Sequence, residues 1–271
     1  MATLSDNVTP KHGSFREGLR IQGRVIKALI LREMHTRYGR ENIGLLWLII
    51  EPMLLASIIG LLHARGGRVH SGDILPLPMS ILGYCNFMVF RSIFNRGEGA
   101  IESNLPLMYH RTVKPLDILL ARALLDTVGI WLAFILLMTA AIALGMTHFP
   151  ARPGWLLLGL FTMLWFSFSA SLVVAGLTYE RKAIGRLVHP FTYLMMPLSG
   201  AFFTMDMLPH AYREIFLYVP LAHIFEILRY GWFYSAADEY FSAPYMISWL
   251  LGITLIGLIL LSQARKRIHM P

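Results

Sequence analysis

Leu116–Gly145 reads LDILLARALLDTVGIWLAFILLMTAAIALG, and from Thr127 onward it holds no charged residue. An α-helix rises 1.5 Å per residue, so about twenty apolar residues suffice to cross roughly 30 Å of hydrocarbon. The stretch therefore reads as a membrane-crossing helix with length to spare. Its polar positions, Asp117, Arg122 and Asp126, gather near its start, which is expected to protrude from the membrane on a polar face.

Working outward, the same signature recurs five more times. Predicted spans cover residues 44–62, with Trp47, Glu51 and Pro52, and 74–94, opening with Pro76 and Pro78 and ending at Arg91. The 116–145 span follows, then 155–177, then 184–205, broken by Pro190, Pro197 and Gly200, and finally 245–262, stopped by Arg265-Lys266-Arg267. Residues 207–232 are too polar to cross and too apolar for a loop, so they read as a re-entrant segment with its aromatics at the outer headgroup level. The fold class is thus an all-α integral membrane protein with six transmembrane helices. Composition agrees: of 271 residues, 56% are hydrophobic and 15% charged, whereas soluble domains carry about a quarter charged residues. A soluble globular fold is excluded.

Ahead of the first span, residues 1–14 form a polar, flexible tail, and residues 15–40 an amphipathic interfacial helix. Phe15, Leu19, Ile26, Leu29 and Ile30 share one stripe of that helix, and Arg16, Arg20, Arg24 and Lys27 the opposite side. Residues 41–271 make a single transmembrane domain. The first forty residues have no uninterrupted apolar core, so no cleavable signal peptide is expected.

A net charge of +8 would suggest nucleic acid in a soluble protein. Here the charges sit at span ends, where they set orientation. Eighteen Lys and Arg fall on the side of the N-terminus, from Lys11 through Arg40, then Arg91, Arg96, Arg111, Lys114, Arg181, Lys182, Arg186 and the Arg265–Arg267 cluster. Five, namely Arg65, Arg68, Arg152, Arg213 and Arg229, fall on the other. The positive-inside rule then makes both termini cytoplasmic.

No G-x-x-x-x-G-K-[ST] phosphate loop, H-E-x-x-H helix or G-x-S-x-G elbow occurs. The single cysteine, Cys85, permits no intrachain disulfide, the histidines are scattered, and His189 beside Pro190 reads as structural. Nothing argues for an enzyme, a metal site or a cofactor in this chain. Charges within spans are expensive in lipid and so are candidates for function. Glu51 lies two turns into the first span and reads either as a paired structural carboxylate or as part of a polar path. Arg122 with Asp126, and Glu226 with Arg229, have the spacing of helical ion pairs. In the loop after the second span, Glu98–Asn104 is expected to form a short helix ended by Pro106.

Two stretches carry a resemblance. Leu31-Arg32-Glu33-Met34-His35-Thr36-Arg37-Tyr38-Gly39-Arg40 leads to Trp47 and Glu51-Pro52, and Asn104-Leu105-Pro106-Leu107-Met108-Tyr109 leads to Lys114-Pro115-Leu116-Asp117. These resemble the permease subunit of bacterial capsule-polysaccharide exporters of the ABC-2 type, although Thr36 precedes Arg37 and the earlier arginine is Arg32. The resemblance covers nearly the whole chain after residue 15. It implies a homodimer in the bacterial inner membrane, joined to two copies of a separate ATPase subunit that binds ATP and magnesium. Glu98, Glu102, Asn104 and Tyr109 would contact that ATPase. The cargo would be a lipid-linked anionic polysaccharide, handed on to periplasmic and outer-membrane export components. Arg32, Arg37, Tyr38 and Arg40 would form the cytoplasmic mouth, the guanidinium groups of Arg32, Arg37 and Arg40 gripping carboxylate or phosphate bidentately. Trp47, Tyr84, Trp165 and Tyr193 would stack on sugar rings, with Glu51 in the path. O-antigen, teichoic acid or another lipid-linked glycan fits the same architecture. A self-powered secondary transporter is the rival from another class, and no internal repeat supports it.

Overall fold

A computed structural model of the chain describes residues 15–38, 44–65, 72–108 and 113–268. Among the described residues the secondary structure is helical and no strand occurs. In chain order the helices are α1 Phe15–Tyr38, α2 Gly44–Arg65, α3 Pro76–Asn95, α4 Leu105–Met108, α5 Pro115–Ala143, α6 Pro153–Glu180, α7 Lys182–Leu198, α8 His210–Phe216, α9 Pro220–Trp232 and α10 Ala243–Ile268. Helices α3, α5, α6 and α9 begin on proline, whose fixed φ suits the first helical position and whose missing N–H would have had no helical partner there. At α5 the side chain of Asp117 turns back to accept the Lys114 N–H at 3.1 Å.

Helices α3, α5, α6 and α10 are long and apolar enough to cross a membrane. Helix α6 lies at the centre, with α10 along one side and α3 and α9 on others, while α3 also packs against α2 and α5. The α6–α10 seam is close because each helix offers a glycine. A Cβ on Gly176 would come within 2.6 Å of Leu260, and one on Gly257 within 2.7 Å of Leu172. Small residues at a helix crossing bring backbones together where lipid supplies no hydrophobic driving force. Outward-facing Leu54, Ile58 and Leu62 on α2, and Leu251, Leu255 and Ile259 on α10, are exposed apolar side chains suited to hydrocarbon.

Several expectations need correction. The start of α5 does not present a free polar face: Asp117 and Asp126 are buried, covered by α1 and α3. Arg122 does not pair with Asp126 either. Arg122 Nε lies 3.2 Å from Glu33 of α1, and Asp126 takes Arg96, the residue just after α3. Glu33 and Asp126 thus find their cations outside their own helices, and these two pairs tie neighbouring elements together. The Glu98–Asn104 helix does not form. Residues 96–101 are turns, with Gly99 at φ 62°, a left-handed conformation that ends a helix. A single 3₁₀ turn, Glu102–Asn104, leads into α4, which carries Pro106 in its first turn, where proline is tolerated. On α1, Leu29 is buried against the bundle and Leu19 is 52% exposed.

Helix α7 stops at Leu198, seven residues short of the predicted boundary at 205, with Gly200 at φ 77°. Residues 207–232 resolve into α8 and α9. Phe225 and Trp232 are buried, Trp232 donating to Thr147 in the connection after α5 at 3.2 Å, whereas Tyr212 and Tyr218 are exposed. The expected Glu226–Arg229 pair does form, at 2.7 Å and almost fully buried. Arg229 Nη2 also donates to the Gly200 carbonyl, and Glu226 Oε1 accepts the Met205 N–H at 3.1 Å. This pair supplies partners for the backbone groups freed where α7 breaks.

Candidate functional site

Along α3 and its C-cap the residues Tyr84, Met88, Arg91, Ser92, Asn95 and Arg96 recur at helical spacing and make one stripe. The stripe faces Glu51, Pro52 and Leu55 of α2 and Ile130 of α5, and together they line a cavity of about 390 Å³. From Tyr84 to Arg96 the stripe runs about 18 Å along the helix axis. A polar wall of this length inside an apolar bundle is the feature that bilayer physics least explains and function most readily does.

The stripe's charges are arranged as follows. Asp126, fully buried on α5, accepts from Ser92 Oγ at 2.9 Å and lies in direct contact with Arg96. Arg96 Nε is also 3.4 Å from Ser92 Oγ. Arg91 has a different partner: its guanidinium carbon sits 4.2 Å from the ring centroid of Tyr193 on α7. Asn95 Oδ1 is shielded from solvent with no hydrogen-bond donor among the described residues.

A second cluster lies at the end of the bundle carrying α1 and the turns after α3. Arg32 Nη2 donates to Asn104 Oδ1 at 2.5 Å, and Gln22 Nε2 to Asp117 Oδ1 at 3.0 Å. With the Arg122–Glu33 contact, these bonds fasten α1 to α5 and to the turn before α4. Glu102 pairs with Lys182 at the start of α7 at 3.3 Å, and Glu98 approaches His189 midway along it at 3.7 Å.

At the opposite end Asp73 draws three connections together. It accepts the N–H groups of Tyr234 and Ser235 at 2.8 and 3.0 Å and lies in direct contact with the Ser235 hydroxyl and with His148. Burial alone would push its carboxyl up. The bonds from Ser235, Tyr234 and His148 outweigh that and hold it well below the usual carboxylate range.

Of the residues singled out from sequence, Glu51 and Tyr84 line the cavity and Tyr193 joins it through Arg91. Trp165 does not. It donates to Thr254 Oγ1 at 3.0 Å and stands edge-on to Phe161, so it serves the α6–α10 seam. Arg32 and Asn104, assigned separate tasks, touch each other. Arg40 and Tyr109 lie outside the described residues, as do the side chains of Arg37, Tyr38 and Trp47. Sequence reasoning missed Arg91, Ser92, Asn95 and Arg96 because the first and last read as a span terminus. Their common spacing with Tyr84 was the available signal.

Against known proteins, a family model described as ABC-2 type transporter matches residues 24–233. The capsule polysaccharide export inner-membrane protein CtrC of Neisseria meningitidis serogroup B is 38% identical over 258 residues, covering 94% of this chain and 97% of the relative. BexB of Haemophilus influenzae, described in the same words, is 34% identical with the same coverage. The polysialic acid transport protein KpsM of Escherichia coli is 32% identical over 253 residues, covering 90% of this chain and 95% of the relative.

Proposed function

The chain belongs to the ABC-2 type transporter family, and from that membership we propose that it is the permease subunit of an exporter that carries capsule polysaccharide across the inner membrane. The observation that carries this reading is likeness to two capsule polysaccharide export proteins and a polysialic acid transport protein over nine-tenths of the chain or more. The polar stripe of α3 supports it, because a hydrophilic polymer needs a wall that replaces water within the bilayer.

In this reading α2, α3, α5, α6, α7 and α10 are the six spans, α8 and α9 the re-entrant segment, and both termini are cytoplasmic. ATP is bound and hydrolysed, with magnesium, by a separate subunit present in two copies, and the permease itself is a dimer. Glu98, Glu102 and Tyr109 meet the ATPase; Asn104, expected at that contact, is buried at 2% exposure and acts behind it, its bond to Arg32 passing the movement to α1. The cargo is lipid-linked and anionic. It enters past Arg32, Arg37, Tyr38 and Arg40, follows Glu51, Tyr84 and Tyr193, and leaves toward periplasmic and outer-membrane components.

The test is to delete the gene in its host and locate the surface glycan. Lipid-linked polymer trapped inside the cell, with none outside, is the expected result and identifies the cargo. Absence of polymer from every compartment would point to assembly instead, and an unchanged surface would remove the glycan reading altogether.

A further inference from the structure

Among the described residues that line the 390 Å³ cavity, two are cations, Arg91 and Arg96. Arg96 is committed to Asp126 and Ser92. Arg91 rests instead on an aromatic ring. A guanidinium over a ring is held weakly, by about 0.5–1 kcal/mol at an exposed site, whereas a carboxylate or phosphate offers it two parallel charge-assisted hydrogen bonds. An arriving anion therefore outbids the ring. Tyr193 is 58% exposed, and α7 buries only Gly185, Val188 and Thr192 among its side-chain positions. With Pro190 and Pro197 interrupting its backbone hydrogen bonds, α7 is also the helix best able to yield.

We propose that Arg91 is the seat for the acidic group of a sugar unit, and that Tyr193 is its resting partner, displaced when that group arrives. This rests on the export reading and adds to it a specificity-determining residue. Once freed, the ring offers its face to the apolar face of the sugar. Glu51 lies on the same lining and opposes the anion. That opposition keeps the seat from trapping the chain and lets one unit replace the next.

The test uses the purified full-length chain in nanodiscs and isothermal calorimetry with three probes: an oligogalacturonate, a malto-oligosaccharide of equal length and inorganic phosphate. The acidic oligomer is expected to bind at least about tenfold more tightly than the neutral one. Arg91→Gln removes that preference, and Arg91→Lys, which keeps the charge but loses the fork, retains part of it. Tyr193→Leu separates the latch from simple charge attraction. It tightens phosphate by about 2- to 5-fold, the cation–π contact no longer having to break, while it weakens the oligogalacturonate. Tyr193→Phe behaves as the parent does, and Glu51→Gln tightens both anions.

Equal affinity of Arg91→Gln and the parent for the oligogalacturonate, with unchanged melting, would overturn the proposal, as would a parent chain that binds none of the probes. Phosphate affinity unmoved by Tyr193→Leu would remove the latch. If Arg91→Gln does not fold, Arg91→Lys and Tyr193→Leu decide the matter. An unchanged surface glycan on gene deletion would defeat the export reading and leave these binding results standing by themselves.

Discussion

Replacing Arg229 by Met should lower stability more than any other single side-chain change on α9. Arg229 is 1% exposed and Glu226 3% exposed, and their 2.7 Å contact is the link between α9 and the break after α7. Methionine fills much of the volume but leaves the Glu226 carboxylate buried without its cation and the Gly200 carbonyl without its donor. Removing one member of a buried pair costs about 3–5 kcal/mol, which for a chain of this size lowers the melting midpoint on the order of 10 °C. The assay is thermal unfolding of the full chain in detergent. The informative companion is the double variant Glu226→Gln with Arg229→Met, whose neutral amide can still accept the Met205 N–H. It should recover more than half of the loss, because the penalty comes from the uncompensated charge and not from absence of the pair. A single variant melting within about 2 °C of the parent would refute the reasoning, and a double variant no better than the single would refute its electrostatic part.

Gly257→Leu should part α6 from α10, since even a Cβ there meets Leu172 at 2.7 Å; loss of monodisperse protein on size exclusion checks this, with Gly252→Leu, where a Cβ meets nothing, as control. Glu33→Gln should loosen α1 by weakening its contact with Arg122, seen as faster proteolytic cleavage within residues 15–38 and an otherwise intact chain. For Asp73 the pH dependence has a definite sign. Its folded pKa is depressed, so its stabilising effect is complete above the unfolded value of about 4 and is lost only as pH falls further, toward the folded value. In a His148→Gln background, the difference in melting midpoint between Asp73 and Asp73→Asn should stay flat from about pH 7 to 5 and shrink in stronger acid.

Much of this architecture was legible because lipid imposes a simple rule on sequence. Thr127–Gly145 and the apolar run of α6 could be nothing but long helices, and proline marked where four helices begin. Partner choice was less legible. Arg122 and Asp126 have ideal spacing for each other, yet each is claimed by a charge some thirty residues or more away in sequence, which spacing on one helix does not reveal. The cavity was half legible: Glu51, Tyr84 and Tyr193 stood out as polar or aromatic residues in spans, while Arg91 and Arg96 looked like ordinary membrane-edge charges. Trp165 had the right chemistry for sugar stacking, but its indole N–H found Thr254.

Asp73 gathers the connections after α2, α5 and α9 at one end of the bundle, and so gives it the mechanics of tweezers. The connections around α3, α5, α6 and α10 are joined there, so a push delivered at the far end would spread α3 and α5 most at their tips, while α6 and α10 stay together where Gly176 meets Leu260. A stroke applied beside Arg32 and Asn104 would thus widen the cavity gradually along its length, without shearing the outer end apart.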